Sequence, residues 1–197
     1  MTTDTSKKPG NLIKDLKSIP SPMFIIFAAV AVFAGLYIGG FNINGVFTTL
    51  FLLLLVACAS ADIKAGIVPD LVVIAIAVLG IIKYLVTETI SFDTIFPHLI
   101  GAVCVSVPML VLTLLIKGAF GGGDIKLMAA AGLYLGWKFT LAGLAIGMFT
   151  AGIYGIYLLI RKKANAKSKI RLAPFLAYGL AAASFYGELI LRLIFGL

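Results

Sequence analysis

The chain has 197 residues, of which 61% are hydrophobic and only 12% charged, with a mean hydropathy of +1.13. A soluble domain is nearer half apolar, so this composition excludes an ordinary soluble enzyme and places the chain among integral membrane proteins. The net charge of +8 does not point to nucleic acid either, because the basic residues fall at the ends of apolar runs instead of on one face.

In chain order, residues 1–22 read as a cytosolic tail with an interfacial stretch around Leu12–Ile19. The tail is polar and basic for too long to be a secretory signal peptide. Residues 23–197 then read as a single transmembrane domain, with spans near 23–40, 46–61, 69–86, 95–116, 126–138, 139–160 and 172–195. Turn signals separate several of them: GGFNING, SFDTIFP and the basic run RKKANAKSKIR. The expected fold class is all-α, a polytopic membrane bundle of six or seven helices with the N-terminus cytosolic. Cys58 and Cys104 lie inside apolar runs with no CxxC pairing, which reads as buried membrane thiols; no metal site or cofactor is expected.

Lysine and arginine set the orientation. With the N-terminus inside, 13 of the 16 basic residues fall on the cytosolic side, leaving Lys83, Lys138 and Arg192 outside with Glu88 and Asp93. The same rule argues that the short segment 126–138 crosses, since otherwise the basic loop 161–171 would lie outside. Tyr134 and Trp137 at its far end read as an interfacial aromatic anchor. A helix of that length reaches only about 20 Å at a rise of 1.5 Å per residue, against a hydrocarbon thickness of about 30 Å. Asp124, at its inner end, is therefore expected to be recessed or reached through a thinned bilayer.

There are only eight acidic residues. Asp4, Asp15, Glu88 and Asp93 read as solvated surface charges, and Glu188 precedes Arg192 by one helical turn, an ion-pair spacing. Asp62, in ADIKAGIVPD, ends the second span, and Asp124, in GGGDIK, opens the fifth. Two crossings separate them, so both return to the cytosolic boundary. Two close carboxylates cannot both ionise cheaply: one keeps a proton while the other can act as a base toward water. The plainer alternative is that both are helix-end charges. An aspartate at a helix N-terminus is favoured by the dipole, which accounts for Asp70 and Asp124, whereas Asp62 sits at a helix C-terminus, where a negative charge is disfavoured.

Gly121, Gly122 and Gly123 read as a loop that lets a substrate backbone approach, lets the Asp124 segment move, or merely connects two spans. Asp70 and Lys126 are grouped with these glycines as residues for substrate binding or loop flexibility.

GGGDIKLMAAAGLYLG resembles the GxGD motif of the prepilin peptidases, the membrane aspartic proteases that process type IV pilins. ADIKAGIVPDLVV resembles that family's other aspartate motif, and APFLAYG, residues 173–179, its late Pro-Phe-rich segment. The resemblance implies that Asp62 and Asp124 are the catalytic pair and that no metal or cofactor is needed. It further implies a pilin-like or flagellin-like precursor with a hydrophobic N-terminal helix as partner, with membrane lipid, and cleavage at the cytosolic face of the cytoplasmic (inner) membrane. A cytosolic segment with paired cysteines, carried by the large bacterial enzymes of this type, is missing, so N-methyltransferase activity is not expected. An ion-coupled transporter would also place carboxylates in a membrane, but at the midplane and with repeats. A noncatalytic subunit of a pilus or secretion assembly would need neither aspartate.

Overall fold

The computed structural model describes residues 22–40, 42–88, 91–116, 118–161 and 171–195. The expected interfacial stretch at Leu12–Ile19 lies outside these residues, as do the side chains of Glu188 and Arg192. The described residues form helices and no strands: α1 Pro22–Gly39, α2 Ile43–Ala65, α3 Asp70–Thr87, α4 Phe92–Cys104, α5 Ser106–Leu115, α6 Gly122–Leu135, α7 Trp137–Ile160 and α8 Ala173–Phe195. The expected all-α bundle is found. Among the described residues, four helical stretches are long and apolar enough to cross a membrane: α2, α3, α4 with α5, and α7.

Local chemistry explains the boundaries. Asn42 caps α2 by accepting the Gly45 N–H at 2.9 Å, and α2 ends where Gly66 turns left-handed at φ 66° and returns its N–H to the Asp62 carbonyl. A residue with a Cβ would be strained there. The helix therefore outruns the expected 46–61 at both ends, because capping, which hydropathy does not register, sets its limits. Ser91 and Thr94 form a reciprocal capping box that starts α4. The span expected at 95–116 is broken at Val105, which separates α4 from α5. Pro108 accounts for the break: it has no N–H to give the Cys104 carbonyl, and its ring crowds that oxygen.

Lipid tails are as apolar as leucine, so helices in a bilayer associate through close packing more than through water exclusion. The short helix α6 sits at the centre, touching α3, α4, α5, α7 and α8, while α1 leans on α2 and α7 pairs with α8. Leu127, Met128 and Tyr134 of α6 are fully buried against Phe51 and Leu55 of α2 and Leu176 and Leu180 of α8. Two glycine contacts let backbones meet directly: Gly132 of α6 lies against the Gly101 carbonyl of α4, and Gly179 of α8 against the Gly143 carbonyl of α7. Large apolar side chains such as Ile74, Ile81, Phe149 and Ile156 point outward, as lipid-facing residues do.

Seven hydroxyl side chains bond back to backbone one turn earlier, that of Ser106 in α5 reaching across the break to Ala102 of α4. Thr48, Thr49, Thr87, Ser106, Thr113, Thr140 and Thr150 each donate to the carbonyl four residues earlier.

Tyr134 departs from the sequence reading. It is 1% exposed and stacks on Phe51 with ring centroids 4.1 Å apart, so it is a core residue, not an interfacial anchor. Trp137, at the start of α7, is 36% exposed and keeps a boundary position.

The glycine contacts yield a measurable contrast. Gly132→Ala should destabilise the protein by about 1–3 kcal/mol through forced separation of α4 and α6. Gly152→Ala, where an added methyl meets nothing within 4 Å, should be neutral or stabilising by up to about 1 kcal/mol. Thermal unfolding of both variants in the same detergent checks the pair.

Candidate functional site

Asp62 and Asp124 come together although 61 residues and two crossings separate them. Asp62 lies in the last turn of α2 and Asp124 in the first turn of α6; they are only 7% and 9% exposed. They are close enough for the charge of Asp62 to act directly on Asp124. A buried carboxylate is costly unless it is hydrogen-bonded or paired, so two in one place require specific compensation.

Asp62 receives that compensation from the last helix. Its carboxylate accepts a hydrogen bond from the Ala173 backbone N–H, and the Arg171 guanidinium acts on it electrostatically. Ala173 is the first residue of α8. Its N–H has no intrahelical acceptor and lies at the positive end of the helix dipole, a natural seat for a carboxylate. The other carboxylate oxygen, Oδ2, is buried without a hydrogen-bond partner among the described residues. An orphaned acceptor of this kind in a native site calls for a functional explanation.

Asp124 is held more locally. It is the third residue of α6, and its side chain reaches back to the backbone N–H of Gly121, the residue that caps the helix. This is half of a capping box, with aspartate in the place usually taken by glutamate.

The three glycines differ from the loop expected of them. Gly121 is the N-cap, while Gly122 and Gly123 are the first two residues of α6. Glycine is tolerated in that first turn because the N–H groups there have no intrahelical partners to lose. Each position has its own surroundings. A Cβ on Gly123 would come within 2.8 Å of the Val68 Cβ, one on Gly121 would meet Asp124 Oδ2 at 2.9 Å, and one on Gly122 would meet nothing within 4 Å. Gly123 therefore lets the start of α6 pack against the turn that follows α2, which draws Asp124 toward Asp62.

Asp70 and Lys126 form an exposed ion pair at 2.8 Å that joins the start of α3 to the start of α6. Beside it runs an apolar groove of about 430 Å³ between these helices, lined by Val73, Ile74, Ala77, Ala129 and Leu133 among others. The sequence reading did not single out Arg171, the Ala173 N–H or Val68 as parts of the site. The signal for Ala173 was the APFLAYG segment, whose role depends on a contact with a helix more than 100 residues earlier.

These features define a multi-pass integral membrane protein with a buried aspartate pair at one end of its bundle. The chain belongs to the type IV leader peptidase family, whose family model matches residues 49–156. It is 30% identical to the prepilin leader peptidase/N-methyltransferase of Legionella pneumophila over 162 residues, covering 80% of this chain and 55% of that protein. It is 27% identical to the protein of the same name from Bacillus subtilis over 141 residues, covering 72% of this chain and 56% of the relative. The chain thus spans about half the length of these curated relatives. No solved structure matches it.

The packing at Gly123 can be tested by a double-mutant cycle. Gly123→Ala should cost about 1–3 kcal/mol, and Val68→Ala in the same chain should recover only part of that loss, since it removes the Cγ2 that lies 3.1 Å from the new methyl but keeps the Cβ at 2.8 Å. Lys126→Gln should change stability by less than about 1 kcal/mol, as expected of an exposed ion pair. Chemical or thermal unfolding in detergent reads both.

Proposed function

We propose that this chain is a membrane aspartic endopeptidase that removes the short basic leader from a type IV prepilin-like precursor. The single observation that carries the reading is the buried Asp62–Asp124 pair within a chain of the leader peptidase family. The substrate is a pilin-like or flagellin-like protein whose hydrophobic N-terminal helix enters the bilayer. The bias of lysine and arginine supports a cytosolic N-terminus, a cytosolic aspartate pair and residence in the cytoplasmic membrane.

The pair shares one proton. The carboxylate that is ionised takes a proton from a water, which attacks the scissile carbonyl. The protonated partner donates a hydrogen bond to that carbonyl oxygen and then supplies the proton for the leaving amine. The contacts of Asp62 suit it to be the ionised member, since the Ala173 N–H and Arg171 both favour negative charge. Asp124, held by one backbone N–H and facing another carboxylate, suits the protonated role. The titration belongs to the pair and not to either residue.

Arg171 and the start of α8 act as positioning groups for Asp62. Asp70 and Lys126, paired with each other, hold α3 to α6, and the apolar groove beside them offers a surface for the precursor's helix. Gly121 and Gly123 serve close packing around Asp124 more than loop freedom. The proposal concerns peptide-bond cleavage alone.

Co-expression with a pilin-like precursor tests the reading through leader removal on a gel. Asp62→Asn and Asp124→Asn should each slow cleavage by roughly 10²–10⁴-fold or more, while the variants still unfold cooperatively in detergent. Cleavage that survives both substitutions would sink the aspartyl mechanism and favour a noncatalytic assembly role. Arg171→Lys should retain more activity than Arg171→Gln, because the former keeps a positive charge beside Asp62.

A further inference from the structure

At the opposite end of α6 from Asp124 the bundle opens into a second cavity, of about 490 Å³. Leu135 at its edge lies eleven positions after Asp124, about 16 Å along the helix axis. The cavity is formed where α3 ends and where α4 and α7 begin, so three candidate membrane spans terminate around it. That places it at the level of lipid head groups, whichever way the chain is oriented. Its volume is in the range of small-molecule sites.

Its lining carries both signs of charge in equal number: Lys83 and Lys138 on one side of the balance, Glu88 and Asp93 on the other. The aromatic faces nearby are already engaged by the protein's own cations. Lys83 Nζ sits 4.4 Å from the centre of the Tyr134 ring, and Lys138 Nζ 5.7 Å from that of Trp137. A positively charged ligand group would therefore meet the carboxylates, not an aromatic cage. His98 is fixed in place, because its Nδ1–H donates to the Leu133 carbonyl at 2.9 Å. Its Nε2 lies 3.7 Å from Glu88 Oε1, so the imidazole and this half-exposed carboxylate share one side of the cavity. The sequence reading took Glu88 and Asp93 for ordinary surface charges. The fold keeps both exposed, and also gathers them with Lys83 and Lys138 around one cavity at the bilayer boundary.

We propose that this cavity binds the head group of a zwitterionic phospholipid with a primary amine, a phosphoethanolamine. Its phosphate lies between Lys83 and Lys138, and its ammonium donates hydrogen bonds to Glu88 and Asp93. A quaternary choline has no N–H to donate, and an anionic glycerol head group leaves the carboxylates without a cation. The site is independent of the aspartate pair and of the peptidase proposal.

The test uses the full chain purified in detergent, with thermal unfolding followed as phosphatidylethanolamine, phosphatidylcholine or phosphatidylglycerol of matched acyl chains is added. Phosphatidylethanolamine should raise the unfolding temperature in a saturable way, with an apparent affinity at least about tenfold tighter than either other lipid. Lys138→Gln and Asp93→Asn, made singly, should each remove that preference while leaving cleavage of a precursor unchanged. Equal responses to all three lipids, or a preference that survives both substitutions, would overturn the proposal. Water-soluble glycerophosphoethanolamine forms a further arm. Stabilisation by it at the same concentration would overturn the lipid assignment in favour of a free phosphoamine, and a response only at far higher concentration supports the lipid.

Discussion

Two carboxylates buried side by side in an apolar bundle form an unfavourable arrangement that the rest of the fold has to sustain. The hydrogen bonds that offset it come from helix starts, the Gly121 N–H at α6 and the Ala173 N–H at α8, the second reaching the aspartate that α2 carries in its last turn. Helix ends are where a bilayer-spanning chain has backbone donors to spare, since the interior of each helix uses its own. The site is therefore located where three helices terminate together. The glycine contact with Val68 and the central place of α6 keep those ends in register.

Much of this architecture was legible in the sequence. Long apolar runs and the placement of lysine and arginine outlined the spans, and the helices match them to within a few residues over most of their length. Hydropathy misplaced what depends on hydrogen bonding and sterics. It shortened α2 by missing the Asn42 cap and the Gly66 turn, and it ran through the break that Pro108 imposes at Val105. It also treated the Gly121–Gly123 run as open loop, although a helix can begin on glycine where its first N–H groups have nothing to lose.

The candidate site was legible in part for a different reason. With so few acidic residues, Asp62 and Asp124 could each be weighed, and the crossing count brought them to the same boundary. Their supporting groups could not be read this way. Arg171 looked like one more cytosolic charge, and Ala173 contributes only a backbone N–H, which no residue type announces. Tyr134 was misjudged because aromatic residues near span ends usually mark the interface. Here the short α6 draws its far end inward onto Phe51. The cavity at that end was invisible for the same reason, being made by five helices whose order in the chain does not reveal their adjacency.

The back-bonded hydroxyls in α2, α3, α5 and α7 carry a consequence for how such a chain matures. A helix whose polar side chains are answered by its own backbone can enter the bilayer alone and wait there for its neighbours. Asp62 differs, since the N–H that receives it belongs to α8, more than 100 residues later. The carboxylate pair is thus completed only once α8 has joined α2 and α6, and a chain inserted short of α8 has no finished site to misuse.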